Sequence, residues 1–384
     1  MGGRAIGLWL IGIALGVGRA NAAVAGGDAI FADGFETQRW VAGYYVGYER
    51  FLYPVTEIDF SAVTHLMVGR ARPLADGSLT TDFDINPVDG PQWAQAAVDA
   101  ARAAGRKAIL MVGGAGEIDG WRGAASAANR AAFVNNLLAT VTQYNFDGLD
   151  LDWEPLEDGD RADFLALASA LRSARPTLLL TVPIGWVNSN FDDSPDPFWG
   201  QAAALFDRVD VMTYDMAGPW DGWQSWHNSA LYGESPTTPS SVASSVAFYL
   251  ASGVPPERLG VGIAFYGYCW QGVTAPHEDA GTIAAGDGTM SYTNIIDSYY
   301  TPSVRVWDAS ARVPYLSSAA PLGPAGCNFV SYEDAESIAE KGALVRAQGL
   351  GGTIIWTISQ GHLPDRPAGQ RDPLLDAVRE AFLE

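Results

Sequence analysis

The chain has 384 residues, enough for one large core without a second domain being required. A formal charge of minus 21 argues against polyanionic partners, so nucleic acid and anionic membrane surfaces fit poorly and a neutral polymer fits better. The 13 Trp, 15 Tyr and 15 Phe suit either a large aromatic core or stacking against sugar rings, and composition does not choose between them.

In chain order, Arg4 precedes the apolar run 5–17, too short to span a bilayer, and Ala20-Asn21-Ala22 is a small-x-small cleavage pattern. Residues 1–22 read as a signal peptide, with a membrane anchor as the alternative, and the product is expected outside the cytoplasm, extracellular or periplasmic. Residues 23–38 carry Gly26-Gly27 and no helical or strand period, and read as an N-terminal tether. No later run is apolar for long enough to form a membrane-spanning helix.

From residue 39 the pattern becomes regular. Strand-like apolar runs at 41–46, 62–68 and 107–112 are followed by the acidic stretch 146–155 and by runs at 178–183, 209–214, 259–265 and 353–358. Helical segments lie between them at 91–105, 129–144, 161–175, 201–206, 241–252 and 334–348. Phe133, Leu137, Leu138, Val141 and Tyr144 share one helical face, as do Phe164, Leu167, Ala168 and Leu171. Eight strands alternating with helices predict an α/β chain folded as a closed (β/α)8 TIM barrel over residues 39–384. A doubly wound open sheet is the runner-up, but it would call for a Gly-rich phosphate loop after an early strand, and Gly43-Tyr44-Tyr45 is not one.

The interval from about 268 to 329 is too long for a βα loop and contains short β-like pieces and the turn Gly286-Asp287-Gly288. It reads as a small α+β insertion subdomain between strands 7 and 8, rising as one wall of a groove. The chain has two cysteines, Cys269 and Cys327, which in an exported protein are expected to form a disulfide at the base of this insertion. The four histidines are scattered and no cluster has ligand spacing, so no metal and no cofactor is expected.

The acidic stretch Asp147-Gly148-Leu149-Asp150-Leu151-Asp152-Trp153-Glu154-Pro155 organises the site. As a strand it sends Asp150, Asp152 and Glu154 to one face, and Leu149, Leu151 and Trp153 to the other. Same-face neighbours lie about 6.5–7 Å apart, close enough in a desolvated site for like charges to push some of the carboxyl pKa values up. The alternative is a surface strand whose acids face water. In a barrel the active site collects at the C-terminal strand ends. Those ends carry Tyr44, Gly113-Gly114, Asp152 and Glu154, Tyr214 and Asp215, Tyr266 and Trp356. With no nucleophile-and-base motif, P-loop or dinucleotide fingerprint, acid catalysis on a sugar polymer is the chemistry left.

The run Asp147 to Glu154 matches the DxxDxDxE signature and so resembles the family 18 glycoside hydrolases, the chitinases in particular. Met212-Thr213-Tyr214-Asp215 is similar to that family's sixth-strand motif, and Trp356 to its eighth-strand tryptophan. The resemblance covers most of residues 40–360. It implies that Glu154 is the general acid and base, and that the substrate's own 2-acetamido oxygen is the nucleophile, an exception to the two-carboxylate rule. It also implies that Asp152 holds the acetamido group and Asp150 pairs with Asp152. Tyr214 donates to the acetamido carbonyl, with Asp215 beside it, and Trp356 floors the subsite of the distorted sugar. Tyr44, Tyr266 and Trp220 are expected to contact substrate.

Three departures from the family pattern stand out: Met111 where a serine is common, Arg70 where an aromatic is common, and Ser359 where an acid often follows the last tryptophan. The expected function is a secreted, monomeric chitinase acting on chitin or chito-oligosaccharides with retention. An endo-β-N-acetylglucosaminidase acting on N-glycans and a chitin-binding lectin on the same barrel are the alternatives.

Overall fold

The computed structural model describes residues 39–191 and 194–384. The readings of 1–22 as a signal peptide and of 23–38 as a tether fall outside the described residues. Eight parallel strands form the centre: β1 Trp40–Val46, β2 His65–Pro73, β3 Lys107–Ala115, β4 Gly148–Glu154, β5 Leu179–Gly185, β6 Arg208–Met212, β7 Leu259–Ala264 and β8 Gly352–Trp356. Each pairs with the next in sequence, and β1 pairs with both β2 and β8, so the sheet closes. Closure is why these strands are buried on both faces and read as continuous apolar runs rather than as strict alternation.

The alternation expected along β4 is observed. Leu149, Leu151 and Trp153 point outward and pack with Phe164, Leu167 and Leu171 of the helix Arg161–Ala174. Trp153 stacks on Trp121 with ring centroids 5.2 Å apart. Trp121 in turn donates its indole N–H to the Asp152 carbonyl at 3.0 Å. That approach requires Gly113, which has φ +96° and where a Cβ would sit 2.3 Å from the indole nitrogen. The second layer of the core fills the barrel interior with Tyr44, Met67, Ile109, Met111, Tyr214 and Ile354.

Element boundaries differ from expectation in places with identifiable causes. β2 begins at His65 and runs on to Pro73, past Arg70 and Arg72, because its extension pairs antiparallel with Leu79–Thr80 and its polar side chains hide the strand. Tyr214 lies beyond the end of β6 at Met212. The helix expected at 201–206 runs instead over Pro197–Ala203, opened by Pro197 in its first turn and by Asp196, whose carboxylate accepts from Phe198 N at 3.0 Å. The helices Ile118–Ala125 and Pro373–Phe382 were not anticipated. In the first, Gly120 and Gly123 dilute the apolar signal because they pack directly against the backbone at Pro73 and Ala75.

The insertion is a five-stranded antiparallel sheet in the order Thr282–Ala285, Tyr268–Gln271, Cys327–Ser331, Val313–Leu322 and Arg305–Asp308, with the helix Tyr292–Ser298. Cys269 and Cys327 form a disulfide between neighbouring strands, with Cα atoms 5.2 Å apart and a sequence separation of 58. Closing a loop of that length constrains the unfolded chain by about 4 kcal/mol in the entropic picture.

Candidate active site

The site is built at the C-terminal end of β4, where the strand carries its acids from the barrel interior to the rim. Asp150 is deepest, 1% exposed. Thr181 Oγ1 from β5 donates to its Oδ1 at 2.5 Å, and Tyr44 Oη from β1 donates to its Oδ2 at 2.8 Å. Burial pushes this carboxyl up to about 6 while the two donors hold it down. Two residues on, Asp152 is also buried, and its Oδ1 has no hydrogen-bond partner in the protein. Burial, then the charge of Glu154 and a hydrogen bond shared with it, then the charge of Asp150, raise Asp152 well above the ordinary range. Only the cation of Arg70 pulls the other way. Asp152 therefore holds its proton to higher pH than a free carboxyl does, and Glu154 stands half-buried at the strand end.

Asp152 and Glu154 open into a cavity of about 440 Å³. Tyr214 and Trp356 face it from the ends of β6 and β8, and Tyr44 reaches it from β1. Tyr214 is raised well above its usual value by burial and by the charges of Glu154 and Asp152, so its hydroxyl is held as a donor. The Trp356 indole donates to Asp287 Oδ2 at 3.0 Å, which orients the ring.

Asp215, at φ +55°, lines the cavity as expected, and its Oδ1 accepts from both Tyr266 and Tyr268 at 2.6 Å. Tyr266 is 1% exposed and is not part of the cavity wall. Its expected substrate contact is thus corrected to a hold on Asp215. Trp220 is 46% exposed and does not line the cavity either. It packs against Trp223 and Trp186, with ring centroids 4.7 and 6.0 Å away, and Trp186 is the ring that faces the cavity.

Arg70 lines the cavity floor, donating to Asp84 at 2.9 Å and to the carbonyl of Gly113 at 2.9 Å, with Glu117 at 3.3 Å. Asp84 is shared with Arg72 at 3.8 Å, so the Arg70 guanidinium is charge-paired on this wall and offers no free cation to an anionic substrate. Sequence reasoning missed Trp186, Tyr48 and Asp287 on the cavity wall. Trp186 follows the end of β5 directly, and applying the strand-end rule to that strand finds it. Tyr48 follows β1 by two residues. Asp287 comes from the insertion, where the Gly-Asp-Gly sequence signals a turn and nothing more. Among the described residues no group of His, Cys, Asp and Glu is arranged to hold a metal ion.

A closed barrel with stacked acids at a strand end, opening into an aromatic cavity, is the layout of a glycoside hydrolase. The model of the glycosyl hydrolases family 18 matches residues 41–361, and the chain belongs to that family. The chain is 29% identical over 272 residues to chitinase A1 of Niallia circulans, an alignment covering 62% of this chain and 38% of that protein. It is also 29% identical to a class V chitinase of Arabidopsis thaliana, over 80% of this chain and 82% of the relative. The match thus spans about two-fifths of the bacterial relative and most of the plant one. Among solved structures, the Ostrinia furnacalis Group IV chitinase has a TM-score of 0.75 and 26% identity, covering 90% of this chain and 100% of that one. The same insect enzyme in complex with allosamidin has a TM-score of 0.74 at 26% identity.

Proposed function

We propose that this protein is a chitinase that hydrolyses β-1,4-linked N-acetylglucosamine chains with retention, using the substrate's acetamido oxygen as nucleophile. The observation that carries this reading is the placement of Asp152 and Glu154 on one face of β4, both lining the cavity, with Asp152 Oδ1 buried and without a partner. Two-carboxylate glycosidases place their second acid across the sugar from the first, as nucleophile or base. Here the second acid lies on the same face of the same strand, two residues from the first, rather than across the cavity from it. Asp215, with one oxygen taken by two phenols, is a poor nucleophile.

In this reading Glu154 protonates the glycosidic oxygen and then activates water. The Asp152 oxygen that has no protein donor receives the acetamido N–H, which aims the acetamido carbonyl at the anomeric carbon, while Tyr214 donates to that carbonyl. Asp150, kept near its proton-exchange range by Thr181 and Tyr44, balances charge as the proton on Asp152 moves toward Glu154. Trp356 is the platform for the distorted sugar ring.

The similarity to chitinases favours this substrate class over N-glycans, and the presence of Glu154 favours an enzyme over a lectin. The disulfide fits an oxidising compartment and so supports export. Among the described residues no helix is long and apolar enough to cross a membrane.

The test is hydrolysis of chitotetraose by the wild type and by Glu154→Gln, with product anomers followed by NMR. Release of β-anomeric chitobiose by the wild type, with a variant that binds but turns over at least about a thousand-fold more slowly, supports the reading. Binding without cleavage by the wild type would make the protein a lectin. Release of the α-anomer would refute the retaining mechanism.

A further inference from the structure

One buried acid near the barrel mouth has no part in that chemistry. Glu49 lies just after β1 and is 6% exposed. It accepts from Thr357 Oγ1 and, at 2.8 Å, from Gln360 Nε2, both in the turn that follows β8. The same Gln360 nitrogen donates to Asp287 Oδ1 at 2.6 Å, and Gln360 Oε1 accepts from Gly288 N at 3.3 Å. The amide of Gln360 therefore has all its partners in one orientation only, with both acids on its nitrogen and the insertion's backbone on its oxygen. The other Asp287 oxygen holds the Trp356 indole.

These contacts form one chain running from β1 through the β8 turn to the insertion turn and back to the cavity floor. Burial pushes Glu49 up to about 7, and the charge of Asp287 adds to the rise, so the two acids also sense each other. Ser359, in the same turn after β8, has a buried hydroxyl without a partner. The buried carboxylate in this corner comes from Glu49, in the turn after β1.

Resting on the substrate reading above, we propose that Glu49 is a positioning residue. Acting through Gln360, it locks the insertion's 286–288 turn onto the barrel mouth, which fixes Asp287 and with it the plane of the Trp356 platform. Glu49 does not line the cavity, so its effect falls on how tightly a sugar is seated rather than on proton transfer.

The experiment combines steady-state kinetics on chitotetraose with hydrogen exchange on the protein alone, for Glu49→Ala, Glu49→Gln and Gln360→Met. Glu49→Ala and Gln360→Met are each expected to raise KM by about ten-fold, the scale of one hydrogen bond to a charged group, with kcat held within about two-fold. Peptides covering 282–290 should exchange faster with no substrate present. Glu49→Gln keeps an acceptor oxygen and should recover part of the KM.

Unchanged KM with unchanged exchange overturns the proposal. A fall in kcat at constant KM also overturns it, because it would put Glu49 in the acid chemistry. If Glu49→Ala does not fold, Gln360→Met decides, since it removes the bridge and leaves the contact of Glu49 with Thr357. A wild type that fails to cleave chitotetraose defeats the substrate reading, and the exchange of 282–290 then still decides the positioning role.

Discussion

Tyr44 on β1 donates its hydroxyl to Asp150 on β4 at 2.8 Å across the barrel interior, 106 residues away in sequence. Thr181 on β5 holds the other oxygen of the same carboxylate, so the deepest acid is clamped from both sides.

Both donors hold down an acid that burial raises to about 6. Removing either one raises Asp150 further, so that it keeps its proton to higher pH and balances charge less well for Asp152. Thr181→Val and Tyr44→Phe should each lower kcat on chitotetraose by roughly ten- to a hundred-fold and move its acid limb to higher pH. A kcat profile across the acid range reads both effects. An unmoved acid limb in both variants would count against a role for Asp150 in proton balance.

Arg70 is the one cation opposing the rise of Asp152, and it also ties the Gly113 carbonyl on β3, opposite Asp152 in the sheet register. Arg70→Met removes that charge, so Asp152 holds its proton more firmly and the acid limb shifts upward. Arg70→Lys keeps the charge but not the forked geometry. It should restore the pH profile while leaving kcat reduced by a few-fold, and pH-rate measurements on both variants separate charge from shape.

The aromatic group of Trp186, Trp220 and Trp223 predicts a dependence on chain length. Trp186 faces the cavity and Trp220 is exposed beside it. Losing one stacking ring costs about 0.5–1.5 kcal/mol, or roughly two- to ten-fold in KM. Trp186→Ala should show this on all oligomers. Trp220→Ala should show it only on longer ones, and equal KM losses on short and long chains would remove Trp220 from the extended groove.

Asp210 on β6 is fully buried, and burial pushes it up to about 7 despite Arg208 and the Trp40 indole. The folded state thus retains a proton that the unfolded chain releases above the ordinary aspartate value of 3.8. Its share of stability is present at low pH and is lost as pH rises toward 7. Buried His65 and His227, held below the usual histidine value, slope the other way below about 6.5, so the test is a difference. Relative to the wild type, Asp210→Asn should gain Tm as pH rises from about 4 to 7. Calorimetry at both ends of that window measures it, and a pH-independent difference would contradict the assignment.

Much of the site was legible in the chain because it is local. The side-chain alternation of a strand has a period of two residues, so the order Asp150, Asp152, Glu154 already placed the acids on one face and Leu149, Leu151, Trp153 on the other. The eight apolar runs and their helical spacers were likewise legible as a barrel, since closure requires strands buried on both faces. Trp356 and Tyr214 followed from the rule that strand ends face the site.

What the sequence could not carry is partnership across the barrel. Thr181, Tyr44 and Arg70 touch the acid strand or its neighbour only because the parallel register brings those positions level. Tyr266 turned out to hold Asp215 from behind the cavity wall because its strand end is covered by the insertion. Asp287 and Glu49 meet through Gln360 although they come from an inserted turn and the first strand end, and no periodicity links them. Hydrogen bonds between such distant positions depend on the closing of the sheet and the docking of the insertion, which are properties of the packed molecule rather than of any local stretch of chain.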